Sequence, residues 1–544
     1  MGKNYWIALG ISLLILMAYP YLMRDHMSSV PSEESLLERE VETVTEEPLI
    51  AEKTPALSKP AGPFIQKPAK PTFVQFRNPV FDITFSTLGG TITRLDYVGN
   101  PQDGRDRQLF YDGDPIFPGQ FGIRFLRDVD LTQVVFNLRR SGNNKEIFEF
   151  SYEKPEHYRI LKRYILSNED PVIFIELEIE NLMQQERHFP ILFSWKMDYE
   201  ITKGMLPNNV EGLIRSDKVH SADVNKLKKK GYSVSDDIFW AGNLLKYHAL
   251  LIKPDWKVIS ADFEADEQTI SSELKLEPLS IAPGSTETHH FFIYAGPKHY
   301  ETLKRLDMGF EEVLSKGFFG LFKIWLLIAL KFFYGFTHNY GWAIIILTCL
   351  IKLAFTPLTH MSFESMKKMQ AIQPKLKAIQ EKYKKDPTKL NKEMMGLYKR
   401  NKVNPMGGCL PMLLQIPIFI AFYQVLNDAI ELRGAEFIWW IHDLAKPDQL
   451  FHFPFSIPLI GDSFNLIPIL MIGSMFWQQK LTPQAGATPE QTKMMQFMPI
   501  IFGFLFYNMP SGLVIYWFVN NLLSIVHQVF IKRMVVVLHH EDQD

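Results

Sequence analysis

The feature that most constrains this chain is a run of 38 residues, Met494 to Ile531, without a single Asp, Glu, Lys or Arg. A soluble helix needs a charged face, so a run of this length is built for a lipid surround. Three more runs share the property. Val403 to Asn427 holds 25 uncharged residues, Ser463 to Gln479 holds 17, and Asn4 to Met23 holds 20. Tyr340 to Leu358 is interrupted only by Lys352. The long run is enough for two short spans, at about 494–509 and 511–531, joined at Asn508-Met-Pro-Ser-Gly512. The mean hydropathy of −0.05 hides this, because charged residues crowd the segment from 24 to 316.

The remaining composition excludes several classes. With 544 residues the chain exceeds one core, since single cores stop growing near 250–300 residues. Lys+Arg 58 against Asp+Glu 60 leaves a net charge of −2, so no chain-wide basic footprint for nucleic acid exists. The two cysteines, Cys349 and Cys409, both lie in apolar stretches, so no disulfide framework supports the charged half.

Residues 1–24 read as an uncleaved signal-anchor helix, because Ala18-Tyr-Pro-Tyr-Leu-Met-Arg24 offers no small-x-small cleavage site. Residues 25–72 read as a disordered linker, whose seven prolines and eight glutamates leave little apolar surface to offset ordering entropy. From Phe73 to about Ala295 the pattern has period two, as in Ile175-Glu-Leu-Glu-Ile179, with turn signals such as Gly89-Gly90, Gly99-Asn100-Pro101 and Ala282-Pro-Gly-Ser285. This implies an exported antiparallel β-sandwich that ends in helix, over 73–316. Lys226-Leu-Lys-Lys-Lys230 reads as a solvated loop within it.

Charge then orients the chain. The segment 361–402 carries twelve basic residues against four acids, whereas 431–462 carries two against five. The positive-inside rule places the first in the cytoplasm and the second outside. The Phe-rich segment 317–336, with Lys323 and Lys331, must then lie along the outer surface as an interfacial helix. The expectation is six spans with both termini inside: the anchor plus five core helices at about 340–358, 403–427, 463–479, 494–509 and 511–531, within a core of 337–535. Residues 361–402 form a cytoplasmic helical hairpin broken at Lys385-Asp-Pro387, and 536–544 a cytoplasmic tail.

No catalytic signature stands out. Phosphate-loop, His-Glu-x-x-His and Gly-x-Ser-x-Gly patterns are all missing from the sequence. The tail His539-His540-Glu541-Asp542 reads as a solvated end rather than a metal site. Lys352 is the informative residue, since a charge at bilayer depth costs about 2.5–3.5 kcal/mol on insertion scales. Snorkelling toward headgroups beyond His360 would explain it alone. However, Thr348, Lys352 and Thr356 share one helix face at i, i+4, i+8, and Trp517, Asn521, Ser524 and Gln528 form another polar face, with Asn520 beside it. Gln415 sits between Pro411 and Pro417. Polar faces can be mere helix-to-helix glue, but glue needs no cation. A lipid-bounded polar groove with one positive charge accounts for the set.

Asn404-Pro-Met-Gly-Gly-Cys-Leu-Pro-Met-Leu-Leu-Gln-Ile-Pro-Ile-Phe419, Trp440-Ile-His-Asp-Leu444, Phe497-Met-Pro-Ile500 and Pro510-Ser-Gly-Leu-Val-Ile-Tyr-Trp517 resemble the YidC/Oxa/Alb family of membrane protein insertases. The resemblance covers nearly the whole chain, in the Gram-negative arrangement. It implies a protein that inserts and folds inner-membrane proteins without nucleotide or other cofactor and without being an enzyme. The implied partners are nascent membrane proteins, the Sec translocon with its accessory subunits, the ribosome, the signal-recognition-particle receptor and the lipid bilayer. The implied groove is open to cytoplasm and lipid and lined by Thr348, Lys352, Gln415, Tyr516 and Trp517, to which Asn521 and Ser524 add their polar face. Lys352 stands where the Gram-negative pattern usually has arginine, so the charge is kept and the forked donor geometry is lost. Two other classes compete. A transporter would show inverted repeats and a coupling carboxylate. A sugar-acting envelope enzyme would use the exported domain, whose family counterpart resembles a sugar mutarotase, but fold does not imply function.

Overall fold

The computed structural model describes residues 70–98, 108–110, 121–125, 130–142, 146–198, 210–315, 320–383, 386–401, 403, 410–457, 461–481 and 489–541. The expected signal anchor, the linker up to residue 69, the turn Gly99-Asn100-Pro101, the Asn404–Cys409 motif and the last three residues of the tail lie outside the described residues.

Period-two alternation becomes a sandwich. A nine-stranded antiparallel sheet has the strand order 219–223, 211–215, 240–244, 248–254, 286–297, 172–181, 158–166, 146–154, 137–142. A five-stranded sheet runs 232–234, 258–265, 269–276, 191–198, 122–125, and a four-stranded one spans 73–110. Register explains the alternation: Ile175 faces Phe291 while Glu176 faces His290. The buried set, including Ile175, Leu177 and Ile179, joins the core. The alternate set forms an outer ladder, in which Arg163 pairs with Glu149 at 3.0 Å and Glu178 at 3.1 Å. Large rings fill the interior, with Phe85 stacked on Phe148 at 4.4 Å and Phe193 on Phe291 at 4.2 Å. Each such ring contributes about 1.5–3 kcal/mol by burial.

Gly89 and Gly90 both adopt positive φ, +69° and +52°. A Cβ on Gly90 would meet the Phe150 Cβ at 3.0 Å, so the turn both reverses the chain and packs on the core. The Gly90 carbonyl accepts from Lys162 Nζ at 2.9 Å and from Tyr164 Oη at 2.8 Å. The basic run expected to be a loop is a helix instead, α1 (Val224–Lys230). Asp223 caps it by accepting from Lys226 N at 2.9 Å, and Leu227 is buried beneath it. The lysines are the outer face of an amphipathic turn, which the run of like charges concealed. The domain closes in two short helical pieces, α2 (Tyr300–Arg305) and a 3-10 turn at Phe310–Val313. They pack Leu303 and Phe310 against Trp240 and Tyr294.

Eight helices follow among the described residues. α3 (Gly320–Thr337) buries Leu326, Leu327 and Leu330 and exposes Leu321, Trp325, Phe332 and Phe336. α4 (Tyr340–Ala371) continues well past the expected exit at 358, with Pro357 inside it. Thr356 and Thr359 hydroxyls donate back to the carbonyls of Lys352 and Phe355, both at 2.9 Å, which supports the backbone around the proline. An additional break falls at Ile372, and the basic hairpin consists of α5 (Gln373–Lys382) and α6 (Pro387–Arg400), which part where the Lys385-Asp-Pro387 break was expected and dock on the foot of α4. Its small core is Met369, Ile372, Leu376, Leu397, Tyr398 and Val403. Then come α7 (Leu410–Asp428), α8 (Leu466–Leu481), α9 (Pro489–Phe506) and α10 (Ser511–Glu541). Of the described helices, the segments 320–337, 340–357 and 511–530 are long and apolar enough to cross a membrane. α4, α7, α8, α9 and α10 share one apolar core that includes Ile344, Phe422, Met471, Phe506 and Val514.

Candidate functional site

The polar faces read from the sequence meet between α4, α8 and α10. Asn339 fixes the start of α4: its Oδ1 accepts from Gly341 N at 2.9 Å and Trp342 N at 3.2 Å. Its Nδ2 donates to the Glu436 and Phe437 carbonyls at 3.2 and 3.1 Å, tying the helix to the loop that follows α7. Farther along α4, half-buried Lys352 donates from Nζ to Ser524 Oγ at 2.7 Å. Ser524 Oγ in turn donates to the Asn520 carbonyl at 2.7 Å. Asn521, beside them on α10, donates from Nδ2 to Ser474 Oγ of α8 at 3.2 Å, and Ser474 donates to the Met471 carbonyl at 2.7 Å. Asn520, Asn521, Ser524, Gln528 and Ser474 are all buried.

This arrangement joins Lys352, Asn521 and Ser524 and adds Ser474, which the sequence reading did not single out. Ser474 is one hydroxyl inside an otherwise apolar run, and nothing local marks it. The other expected residues are placed differently. Thr348 is buried one turn above Lys352, but its hydroxyl donates to the Ile344 carbonyl at 2.6 Å, within its own helix. Tyr516 is buried and stacks on Phe422 at 4.3 Å, in the apolar core. Trp517 sits among Phe419, Phe502 and Phe506, with ring centroids 4.8, 5.6 and 5.3 Å away. The pair Tyr516-Trp517 thus contributes rings to an aromatic wall. Gln415 lies on α7, and its side chain is outside the described set.

Chemically, an ammonium has three donors and no acceptor. Among the described residues Lys352 Nζ makes one side-chain hydrogen bond, to Ser524 Oγ, and the candidate spans contain no Asp or Glu that could neutralise it. The cluster can therefore attract carboxylates and carbonyls. Among the described residues no group of three His, Cys, Asp or Glu could hold a metal ion.

A second charged cluster, not anticipated from sequence, ties the sandwich to the helices. Glu431, buried after α7, accepts from Lys331 of α3 at 2.7 Å and lies 3.4 Å from His299, which begins α2. Lys331 also pairs with Glu301 of α2. Burial pushes the Glu431 carboxyl up, but His299 and Lys331 more than offset this and bring it down to about 2. Nearby His248 is held down to about 3 by burial, with Arg433, Lys298 and His299 adding repulsion.

Comparison with known proteins gives a consistent picture. The model of the 60Kd inner membrane protein family matches residues 332–538, and that of the YidC periplasmic domain matches 73–329. The membrane protein insertase YidC of Pelobacter propionicus is 32% identical over 98% of this chain and 100% of its own length. That of Geotalea uraniireducens is 38% identical over 74% of this chain and 75% of its own. A solved active YidC insertase, with its first transmembrane domain resolved, covers 84% of this chain and 91% of its own at 19% identity and a TM-score of 0.36.

Proposed function

The chain belongs to the YidC family of inner-membrane protein insertases, and from that membership we propose that it inserts and folds membrane proteins by way of a polar groove centred on Lys352. The observation that carries this is the Lys352–Ser524 contact beside Asn521 and Ser474: one cation held among neutral polar side chains of three helices. A substrate's polar outer segment must cross a core in which each unsatisfied backbone group costs several kcal/mol. A wet groove partway in shortens that dry path, and the ammonium attracts acidic segments. The membrane potential then favours their export by about 2.3 kcal/mol per charge per 100 mV. No nucleotide enters this scheme. The test is insertion of one substrate carrying either a neutral or an acidic outer tail: Lys352→Leu should impair the acidic form selectively, and equal insertion of both would remove the groove role.

The accompanying topology has six spans, both termini in the cytoplasm and the sandwich in the periplasm. α3 lies flat on the outer surface, and the α5–α6 hairpin receives substrate. The charge imbalance between 361–402 and 431–462 supports it. A cysteine at exposed Lys389 should be labelled only from the cytoplasm and one at exposed His442 only from outside; reversed labelling sinks this orientation. Thr348, Gln415, Tyr516 and Trp517 would line the groove's walls. Family membership supports cooperation with the Sec translocon, the ribosome and the signal-recognition-particle receptor. Co-purification of each with the full chain, and its loss at high salt, would test these partners.

A further inference from the structure

The segment between α7 and α8 carries an exposed aromatic surface that the groove does not use. Strands Phe451–Ile457 and Gly461–Phe464 form an isolated two-stranded hairpin. Phe451 stacks on Phe464 at 4.8 Å, and Phe453 touches Phe451 and Phe455 at 5.3 and 5.8 Å. Phe455 is nevertheless 62% exposed and Phe451 48%. From Leu450 to Phe464 the only charged residue is Asp462. A water-facing two-stranded ribbon with open edges ordinarily carries charges that block pairing with other chains.

The hairpin's depth is fixed by its root. Asp448 is buried and its Oδ2 accepts from Leu466 N at 2.8 Å and Ile467 N at 3.1 Å, capping α8. The same oxygen accepts from Trp440 Nε1 at 3.1 Å. Asn465 donates to the Tyr507 carbonyl at 2.8 Å, and Tyr507 Oη donates to the Ser463 carbonyl at 3.1 Å, which binds the root to the end of α9. α8 has 16 residues, about 24 Å of helix, against a hydrocarbon core of about 30 Å. Side chains at its outer end therefore stand at the boundary of hydrocarbon and headgroups. Trp439 joins them. It is stacked on the anchored Trp440 at 5.8 Å, 80% exposed, and held at φ +54°, a conformation costly for a bulky residue. The indole of this positive-φ residue faces away from the protein.

We propose that Trp439, Phe451, Phe453 and Phe455 form a lipid-seated aromatic wedge in the outer leaflet, binding the headgroup–acyl boundary of phospholipid. The Trp439 indole suits that layer because its body is apolar and its N–H polar, and the three phenyl rings bury apolar area in the acyl chains beneath it. The wedge pins the short outer end of α8, and with it the Ser474 side of the groove, at fixed depth. It rests on the membrane reading above.

The test uses the full chain with Cys349→Ser and Cys409→Ser, in vesicles of phosphatidylethanolamine and phosphatidylglycerol. An environment-sensitive fluorophore is placed at Phe455→Cys, at Trp439→Cys, at Leu353→Cys on the exposed side of α4, and at Glu287→Cys on the sandwich. Bromine near the head of the acyl chains should quench positions 455 and 439, and aqueous iodide should reach them about tenfold less than position 287. Quenching by iodide alone would place the hairpin in water and overturn the wedge. Shielding from both quenchers would mean a protein occupant, such as a second copy or a substrate, and would equally overturn it. Failure of bromine to quench position 353 would instead sink the membrane reading. In the unaltered chain, a photoactivatable phospholipid should crosslink to 450–457; its absence, with crosslinks elsewhere, would overturn the proposal without any substitution.

Discussion

The sandwich and the helical bundle each bury a lysine, and they treat it oppositely. Lys162, on an inward position of strand Tyr158–Leu166, is 1% exposed. It donates to the Gly90 carbonyl at 2.9 Å and the Phe121 carbonyl at 2.5 Å, and its Nζ lies 5.0 Å from the Tyr164 ring centroid. Burial holds its pKa well below the usual lysine value. Both of its hydrogen bonds go to backbone carbonyls of the sandwich. Lys352 touches one hydroxyl, is only half buried, and sits against neutral polar side chains. The contrast separates a tie from a site: a lysine bonded to two buried backbone carbonyls fixes structure, whereas one that meets a single hydroxyl can act on something that arrives.

The largest effect expected from this contrast is structural. Lys162→Ala leaves two buried carbonyls without a donor and opens a cavity, at a cost of about 3–5 kcal/mol. Lys162→Met fills the space and should cost about half of that. Hydrogen exchange along 158–166 in the full chain would report both, and unchanged protection would show that the tie is not structural. The sign with pH follows from the lowered pKa. The unfolded lysine binds a proton below about 10.5 while the folded one resists it. This residue's contribution to stability therefore falls as pH drops from that value toward the folded pKa.

Lys352 should behave in the reverse way. Lys352→Leu should leave stability equal or higher, because a charge costing a few kcal/mol is gone from an apolar span. Insertion of the acidic-tailed substrate should fall about tenfold, equivalent to about 1.4 kcal/mol. Lys352→Glu should be worse, since it repels the same tails, and Lys352→Arg should retain function. If Leu and Glu insert both tails like the native chain at matched levels, Lys352 is a snorkelling anchor and the comparison with Lys162 collapses.

The junction between the two regions gives a smaller, pH-dependent effect. Glu431 is held at about 2 from an ordinary 4.5, so its contribution is full above pH 4.5 and is lost as pH falls through about 2. His248 adds to the same direction earlier: the unfolded ring binds a proton below 6.5, the folded one only near 3, so acid weakens the fold across that window. Glu431→Gln removes the charge that holds Lys331, although Lys331 keeps Glu301, which limits the loss to about 1–2 kcal/mol. Exchange protection of α3 should fall first, before that of the sandwich; simultaneous loss would mean that the cluster does not hold the junction.

Much of this was legible from residues alone because the governing signals are local. Alternation placed Ile175, Leu177 and Ile179 inside the sandwich, and the i, i+3 spacing put Asn521 and Ser524 on one polar face of α10, where Ser524 meets Lys352. What escaped was set by distant partners. His299 and Glu431 are 132 residues apart, and Lys162 meets Gly90 at a separation of 72. Ser474 acquires meaning only through Asn521. Thr348 matched the spacing; its hydroxyl donates to the Ile344 carbonyl of its own helix, as that of Ser524 does to the Asn520 carbonyl, and keeps its lone pairs to accept, a bond pattern that periodicity does not reveal. Charge runs misled in the opposite way, since Val224–Lys230 buries Leu227 beneath its lysines.

The smallest effect is the sharpest probe of what Lys352 contributes. Ser524→Ala deletes the hydroxyl that accepts from Nζ, at a cost of about 1 kcal/mol in stability. Two accounts of the groove then diverge. If the charge acts, the freed ammonium still attracts carboxylates, and acidic-tail insertion stays within about twofold of native. If the hydrogen-bonded geometry acts, with Ser524 aiming the lysine at one point of the groove, Ser524→Ala should approach the deficit of Lys352→Leu. The measurement is the same inserted fraction with neutral and acidic tails. A deficit in both tails would assign Ser524 to packing between α4 and α10. A deficit in the acidic tail as deep as that of the leucine variant would show that position, and not charge alone, draws the substrate in.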